Sequence, residues 1–445
     1  MKIQHFPEIQ KQIQFDYLDD IEIFKSRFFE SELGKIYLAI PWDELVSAFS
    51  LKTHHTGRPL MFSPQGRIAL MFLKNYSGLS DFKLIEQLNG NVEWQFFCGI
   101  HLGFHRIDNY KIVSQIRSEL ASRLSLEKLE DVLFQYWKPF INSTDQIVMD
   151  ATCYESEVRY PTDVKLLWES VESAYRMMRE VCNRERIPIL RTKYHKWLIR
   201  YIGYSKMRRK TTKKKNALKR SSLLLIDKLS RFLWEHEETL SEKEKERLRL
   251  IAKVHTQQYE LFHRGITPKG RIVSLHKPYV RPIVRGKEIK PVEFGDKANK
   301  IQIDGISFIE HISHDAFNEG VRFKQGVWKA QSLTHVKVNV VGADAIYATN
   351  ENRRFATHHN IKTDFKAKGP KPSYHKELQG LKKMITKERA SRLEGSFGKD
   401  KEHYHLRKIK AVGKENEILW IFFGTHTGNA LEIGRRISGA LKKAA

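Results

Sequence analysis

Two short β-branched runs, far apart in the chain, each end on an aspartate. Ile147-Val148-Met149 leads into Asp150, and the Val-rich run from Val336 to Val341 leads through Gly342-Ala343 into Asp344. The first is apolar over a strand's length without a helical stripe and the second is rich in valine, so both read as strands. Asp344 follows Asp150 by 194 positions, and the intervening sequence is mainly helical in its periodicity. Such a chain is constrained to an α/β fold whose sheet-forming part is interrupted by a helical insertion.

The flanking patterns fill in this plan. Residues 1 to about 60 are mixed polar and aromatic and read only as an N-terminal appendage. Ser63-Pro64 opens a helix with an apolar face from Ile68 to Leu73, and after Gly78 a second helix starts at Ser80, with Phe82, Leu84, Ile85 and Leu88 at helical spacing. The pair resembles a helix-turn-helix, although a plain helical bundle gives the same pattern. Tyr110 to Trp137 reads as one helix, and another begins at Asp163 after Pro161-Thr162. Residues 221 to 263 form a helical pair split near Leu240-Ser241. Ile301 to Ile309 is a hairpin candidate with Asp304-Gly305 as its turn, and Val336 to Phe365 has the length of a parallel strand, helix, strand crossover with Asn350 as cap. Gly369-Pro370-Lys371-Pro372 breaks the chain, and the apolar run Ile418 to Phe423 precedes a terminal basic helix.

Charge narrows the function. The chain has 78 Lys plus Arg against 52 Asp plus Glu, a formal net charge of +26, so its surface attracts polyanions. Between residues 184 and 220 there are 15 Lys or Arg and one acid, Glu185, a local net of +14. Tyr194, Trp197, Tyr201 and Tyr204 interleave with these cations, which suits contact with phosphates by charge and with bases or sugars by stacking; a solvated helix face is the alternative. Arg208, Arg209, Lys210, Lys213, Lys214 and Lys215 are the candidate DNA contacts in this run. No stretch approaches the roughly 20 apolar residues of a spanning helix, and the N-terminus lacks a signal-peptide apolar core, so a cytoplasmic protein with no membrane partner is expected. Cys98, Cys153 and Cys182 form no Cys-x-x-Cys pair; Cys98 near His101 and His105 reads as a buried thiol in an ordinary loop.

The acids suit phosphodiester chemistry. Asp150 and Asp344 end strands among small residues, which leave room for metal and phosphate, and Glu394 lies in the helix-like stretch from Thr386. Two divalent cations on hard carboxylate oxygens activate an attacking oxygen and stabilise the departing one. There is no Ser, Tyr or Cys nucleophile constellation, and neither a phosphate-binding Gly-Lys-Ser/Thr loop nor a dinucleotide fingerprint, so no nucleotide cofactor is expected.

The motifs Asp150-Ala151-Thr152, Gly342-Ala343-Asp344-Ala345-Ile346-Tyr347 and Arg392-Leu393-Glu394-Gly395-Ser396-Phe397-Gly398 resemble the three acidic regions of the DDE transposases of bacterial insertion sequences. The resemblance implies an RNase H-like mixed sheet flanked by helices, an N-terminal helical DNA-binding domain over 1–140, and a catalytic domain over 141–430. A basic helical insertion over 163–290 would interrupt the catalytic domain, and a C-terminal basic helix would follow over 431–445. It also implies two Mg2+ (or Mn2+) ions held by Asp150, Asp344 and Glu394, hydrolysis at transposon ends, and attack of the 3′-hydroxyl on target DNA. Double-stranded DNA and a homodimer or higher homo-oligomer are the implied partners. That family often places a lysine seven positions after the glutamate and an arginine four before it. Lys401 matches the first; Ala390 stands at the second, leaving Lys387 as the candidate cation with Arg389 off that helix face. Gly395 and Gly398 predict a helix that loosens after Glu394. Two other readings fit the same residues: an RNase H-like nuclease without strand transfer, and a catalytically idle DNA-binding protein descended from a transposase.

Overall fold

The computed structural model describes residues 17–52, 61–103, 105–284, 292–366, 368 and 375–444. The break expected at residues 369–372 lies outside them. The chain forms two compact units, one of residues 1–154, 298–312 and 318–445, the other of residues 155–297 and 313–317.

The first unit opens with helices α1 (Tyr17–Glu30), α2 (Glu32–Leu38), α3 (Trp42–Ala48), α4 (Pro64–Ser77), α5 (Asp81–Gly90), α6 (Val92–Phe97), α7 (Lys111–Ala121) and α8 (Leu126–Trp137). Their starts follow local chemistry. The hydroxyls of Ser31, Ser63 and Ser80 and the Asn91 amide oxygen accept backbone N–H groups of the first turns, with Pro64 opening α4. Residues 17–52 are not an appendage. Phe28, Ile36, Leu45 and Phe49 are buried in the same core as Phe72 and Phe423, and Phe28 and Phe29 meet Phe96 edge to face. Their partners are distant in sequence, so local patterning did not reveal the packing. The helix expected over 110–137 divides at residues 122–125, where Ser122 turns its hydroxyl back onto the Glu119 carbonyl.

The sheet is mixed. Strand β1 (Gln146–Ser156) pairs in parallel with β5 (Val340–Ala343), Gln146 facing Val340 and Met149 facing Ala343, and β5 pairs in parallel with β6 (Lys362–Thr363). Helix α14 (Asn350–His358) makes the crossover. The β5 strand begins later than its Val-rich run because the Val338 N–H donates to the Gln331 side chain. On the other side of β1 lies β3 (Val292–Ile303), joined to β4 (Ile306–Ser313) by Asp304 and Gly305, whose positive φ values of 45° and 82° suit the tight turn read from Asp-Gly. Strand β7 (Lys408–Ile409) also pairs with β1. Helices α13 (Phe323–Thr334), α15 (His375–Glu388), α16 (Glu394–Glu402) and α17 (Lys414–Ala444) complete the unit. The apolar run 418–423 and the basic C-terminus are one helix, α17, since a short apolar run does not itself distinguish buried helix from strand.

The second unit is built on α9 (Asp163–Glu185), α10 (Tyr194–Lys206), α11 (Thr212–Glu235) and α12 (Glu242–Arg264), with β2 (Arg281–Val284) antiparallel to residues 292–295 of β3. Leu167, Val171 and Met178 of α9 pack with Ile226 and Leu229 of α11 and Leu248 and Ile251 of α12. A Ser241–Glu244 capping box starts α12, and Asp163 holds Lys219 at 2.6 Å and Arg271 at 2.5 Å. No helix among the described residues is long and apolar enough to cross a membrane.

Candidate active site and nucleic-acid surface

The register that pairs Met149 with Ala343 makes Asp150 and Asp344 the next residues on neighbouring parallel strands. Asp150 is partly buried, its Oδ1 accepting the Ala151 N–H at 2.8 Å. Asp344 is exposed and caps the 3-10 turn at Ala345–Tyr347, its Oδ1 accepting the Ala345 N–H at 2.6 Å. Burial pushes the Asp150 carboxyl up to about 6; the charges of Glu319 and Asp344 push the same way, while the Ala151 N–H and Arg389 oppose them.

Glu319 was not singled out from sequence, where Asn318-Glu319-Gly320 carries no motif. The 3-10 turn Glu319–Arg322 is pinned to the Asp344 turn by Asn352, whose Nδ2 donates to the carbonyls of Gly320 at 2.7 Å and Tyr347 at 2.8 Å. Gly320 is part of that fit, since a Cβ there would lie 2.8 Å from the Ile346 carbonyl oxygen. A third carboxylate thereby acts on Asp150.

Small residues near Asp344 have a different use from the one expected. A Cβ on Gly342 would sit 2.3 Å from Ile385 Cγ2 and 2.9 Å from Val148 Cγ1, so the missing side chain lets α15 pack onto β1 and β5. Val148, Val340, Ile385, Leu393 and Phe397 form that contact.

The segment carrying Glu394 follows β1. Val148, Asp150, Thr152 and Tyr154 alternate onto one face of the strand. Leu393 packs in the cluster containing Val148, and eight residues later the Lys401 ammonium donates to Thr152 Oγ1 at 2.8 Å. Asp400 accepts from Tyr154 at 2.7 Å and from Lys300 at 2.6 Å, and Lys300 also donates to Thr425 Oγ1 at 2.7 Å. Asp150 therefore lies between two β1 positions touched by this segment. Glu394 itself is exposed, and among the described residues the carboxylate oxygens of Asp150, Asp344 and Glu394 do not all come within 4.8 Å of one another.

The helix does not loosen after Glu394; it is irregular before it. Residues Arg389–Leu393 form a π-helical turn, in which the Glu394 N–H donates to the Arg389 carbonyl five residues back. The wider turn sets Arg389 one turn below Glu394, where a regular α-helix would place Ala390. Arg389 reaches Asp364 at 3.5 Å and Asp344 at 3.9 Å, and Asp364 in turn accepts the Ala343 N–H at 3.1 Å. Arg389, not the exposed Lys387, is the cation held beside the acids. Counting only in α-helical steps hid it.

In the second unit Arg208, Arg209, Lys210, Lys213, Lys214 and Lys215 are all exposed, around the connection from α10 to α11. The aromatic residues divide between two roles. Tyr194 stacks on Tyr175 at 3.8 Å and Tyr201 on Trp168 at 4.9 Å, docking α10 onto α9. Trp197 and Tyr204 instead line a cavity of about 460 Å3 with Lys214, Arg200 lying over Trp197 at 4.6 Å and Lys210 near Tyr204 at 5.5 Å. Cys98 is fully buried, with its thiol pushed up by burial, as an inert core cysteine would be.

Residues 23–119 match the model of a family described as Transposase domain (DUF772). An uncharacterized protein, ORF8 in the nfe locus of Rhizobium meliloti, is 26% identical over 144 residues, covering 31% of this chain and 68% of that protein. No solved structure matches.

Proposed function

We propose that the protein is a DNA transposase with an RNase H-like catalytic core, in which Asp150, Asp344 and Glu394 form the metal-binding triad. The parallel register that sets Asp150, within β1, beside Asp344, just past the end of β5, carries this reading, because convergent acids on adjacent strands are what a two-metal phosphodiester site requires. The match to a transposase domain over residues 23–119 supports it.

The donors suit the cations: magnesium and manganese take hard carboxylate oxygens, and burial, with the neighbouring charges of Glu319 and Asp344, raises the Asp150 carboxyl, so a cation there offsets a real cost. Divalent ions bound there supply activation of water and stabilisation of the leaving oxygen. Asp150 and Asp344 would hold them from β1 and the end of β5, and Glu394 would complete the set from the start of α16. Arg389 orients Asp344, while Lys401, anchored on Thr152, presents positive charge beside the scissile phosphate. In the first step water attacks the phosphodiester at the element's end and frees a 3′-hydroxyl. In the second, that hydroxyl attacks target DNA, forming one P–O bond as another breaks. Exposed cations from Arg208 to Lys215 grip duplex DNA, and a homo-oligomer brings two ends together.

The test is magnesium-dependent cleavage and strand transfer on DNA carrying the element's own ends. Asp150→Ala, Asp344→Ala and Glu394→Ala each abolish both steps and leave DNA binding intact. Unaltered cleavage in any one variant removes that residue from the triad, and cleavage without joining in the wild type makes the protein a nuclease.

A further inference from the structure

A second cationic surface lies in the first unit, away from the basic insertion in sequence. A cleft of about 560 Å3 is lined by Lys74, Arg117, Lys401, Arg407, Lys408 and Lys410. Two acids share it, and both are engaged: Asp81 holds Lys74 at 2.6 Å and Arg117 at 3.3 Å, and Glu402 holds Arg407 at 3.2 Å. Six cations against two carboxylates leave the cleft strongly positive. Burial lowers the proton affinity of Lys74 and of the cleft's His405, and the neighbouring charge of Lys410 lowers both further.

Arg117 Nη1 and Trp420 Nε1 are buried without a hydrogen-bond acceptor, and Lys74 and Arg117 lie over the Trp420 ring at 5.5 Å and 5.6 Å. Phe82 at the start of α5 and Tyr110 just before α7 meet edge to face at 5.8 Å, yet remain 56% and 43% exposed. Gly78 keeps the wall closed: with φ +63°, it caps α4 where a Cβ would lie 2.0 Å from His405 Nε2.

Position connects the cleft to the candidate active site. Lys401 in its wall donates to Thr152, two residues beyond Asp150 on the same face of β1, and Lys408 lies on β7, which pairs with β1. Two residues along a strand span roughly 7 Å.

We infer that this cleft holds the phosphate backbone of the DNA strand entering the Asp150–Asp344 site, with Phe82 and Tyr110 packing on its sugars or bases. Lys408 and Lys410 contact phosphates directly. This assignment rests on the transposase reading and gives the chain a second DNA contact, made by the transposase-domain helices together with the segment that follows α16.

The test uses the full-length protein, a 40-base-pair duplex and fluorescence anisotropy in EDTA, with salt varied between 50 and 300 mM. Lys408 and Lys410 are exposed, so Lys408→Gln/Lys410→Gln leaves the fold intact, as an unchanged melting curve will verify. Each neutralised phosphate contact lowers the slope of log K against log salt by about 0.9, so the double variant loses about 1.8 units of slope and binds up to about 60-fold more weakly near 100 mM. Phe82→Ala weakens binding severalfold without changing the slope. An unaltered slope and affinity in the double variant overturns the cleft assignment, and since no metal is present, it leaves the carboxylate chemistry standing. Failure of the wild type to bind duplex DNA overturns both.

Discussion

The Lys300 and Arg389 contacts of the first unit and the connection from α10 to α11 of the second use positive charge in opposite ways. In the second, six cations between Arg208 and Lys215 stand exposed, and the contacts made there by Lys210 and Lys214 are a tyrosine ring and a thioether. In the first, Lys300 is wholly buried, shared between Asp400 and Thr425, while Arg389 is held between Asp344 and Asp364. A solvated cation adds to a long-range field and tolerates replacement; a buried one is tied to a particular carboxylate and sets where elements pack. Net charge therefore reports the field that the surface offers to polyanions, whereas the geometry of the candidate site depends on a few cations that contribute little to the total.

The largest expected effect tests the buried side of this contrast. Lys300→Met leaves the Asp400 carboxylate beside Tyr154 without its counter-charge and costs about 3–5 kcal/mol of stability, read from urea unfolding. Lys300→Met/Asp400→Asn recovers much of that loss. A single variant within about 1 kcal/mol of the wild type would show that the network does not fix α16 against β1.

What the sequence disclosed follows the same division. Strand β1, the Asp304-Gly305 turn, the β5–α14–β6 crossover and the helical insertion were legible because each is written in local periodicity or turn chemistry. The contribution of Glu319 was not, since only Asn352, distant in sequence, brings its turn beside Asp344. Arg389 was hidden by the π-helical turn, and Gly342 was read as space for a ligand when its neighbour is Ile385. Tyr194 and Tyr201 looked like bases' stacking partners but stack on Tyr175 and Trp168. Apart from the π-helical turn, which is a local change of hydrogen-bond partner, the deciding contact in each case is tertiary, and composition within a short window carries no record of it.

The carboxylates should show a cost of intermediate size. Asp150 has a folded-state pKa of about 6, above its ordinary value of 3.8, so the folded protein binds its proton more tightly than the unfolded chain does. In metal-free buffer this favours folding below about pH 4 and disappears as pH rises through 6. Asp150→Asn therefore matches the wild type in stability near pH 4 and exceeds it at pH 8 by up to about 3 kcal/mol, the equivalent of two pKa units. Urea titrations at the two pH values in EDTA read the difference. A gap independent of pH would mean that Asp150 is not held at a cost in its ionised form.

The smallest effect on folding belongs to the exposed cations, where the contrast is sharpest. Lys213, Lys214 and Lys215 occupy the first turn of α11, at the positive end of the helix dipole, with no ion-pair partner among the described residues. Replacing all three with glutamine relieves that repulsion and changes stability by no more than about 0.5 kcal/mol per site. If these lysines touch phosphates, the same triple variant loses up to about 2.7 units from the salt slope of DNA binding, because each released contact removes about 0.9. A stability change near that of Lys300→Met would place these lysines among the structural cations. An unaltered salt slope would make them a solvated surface and leave duplex binding to other parts of the chain.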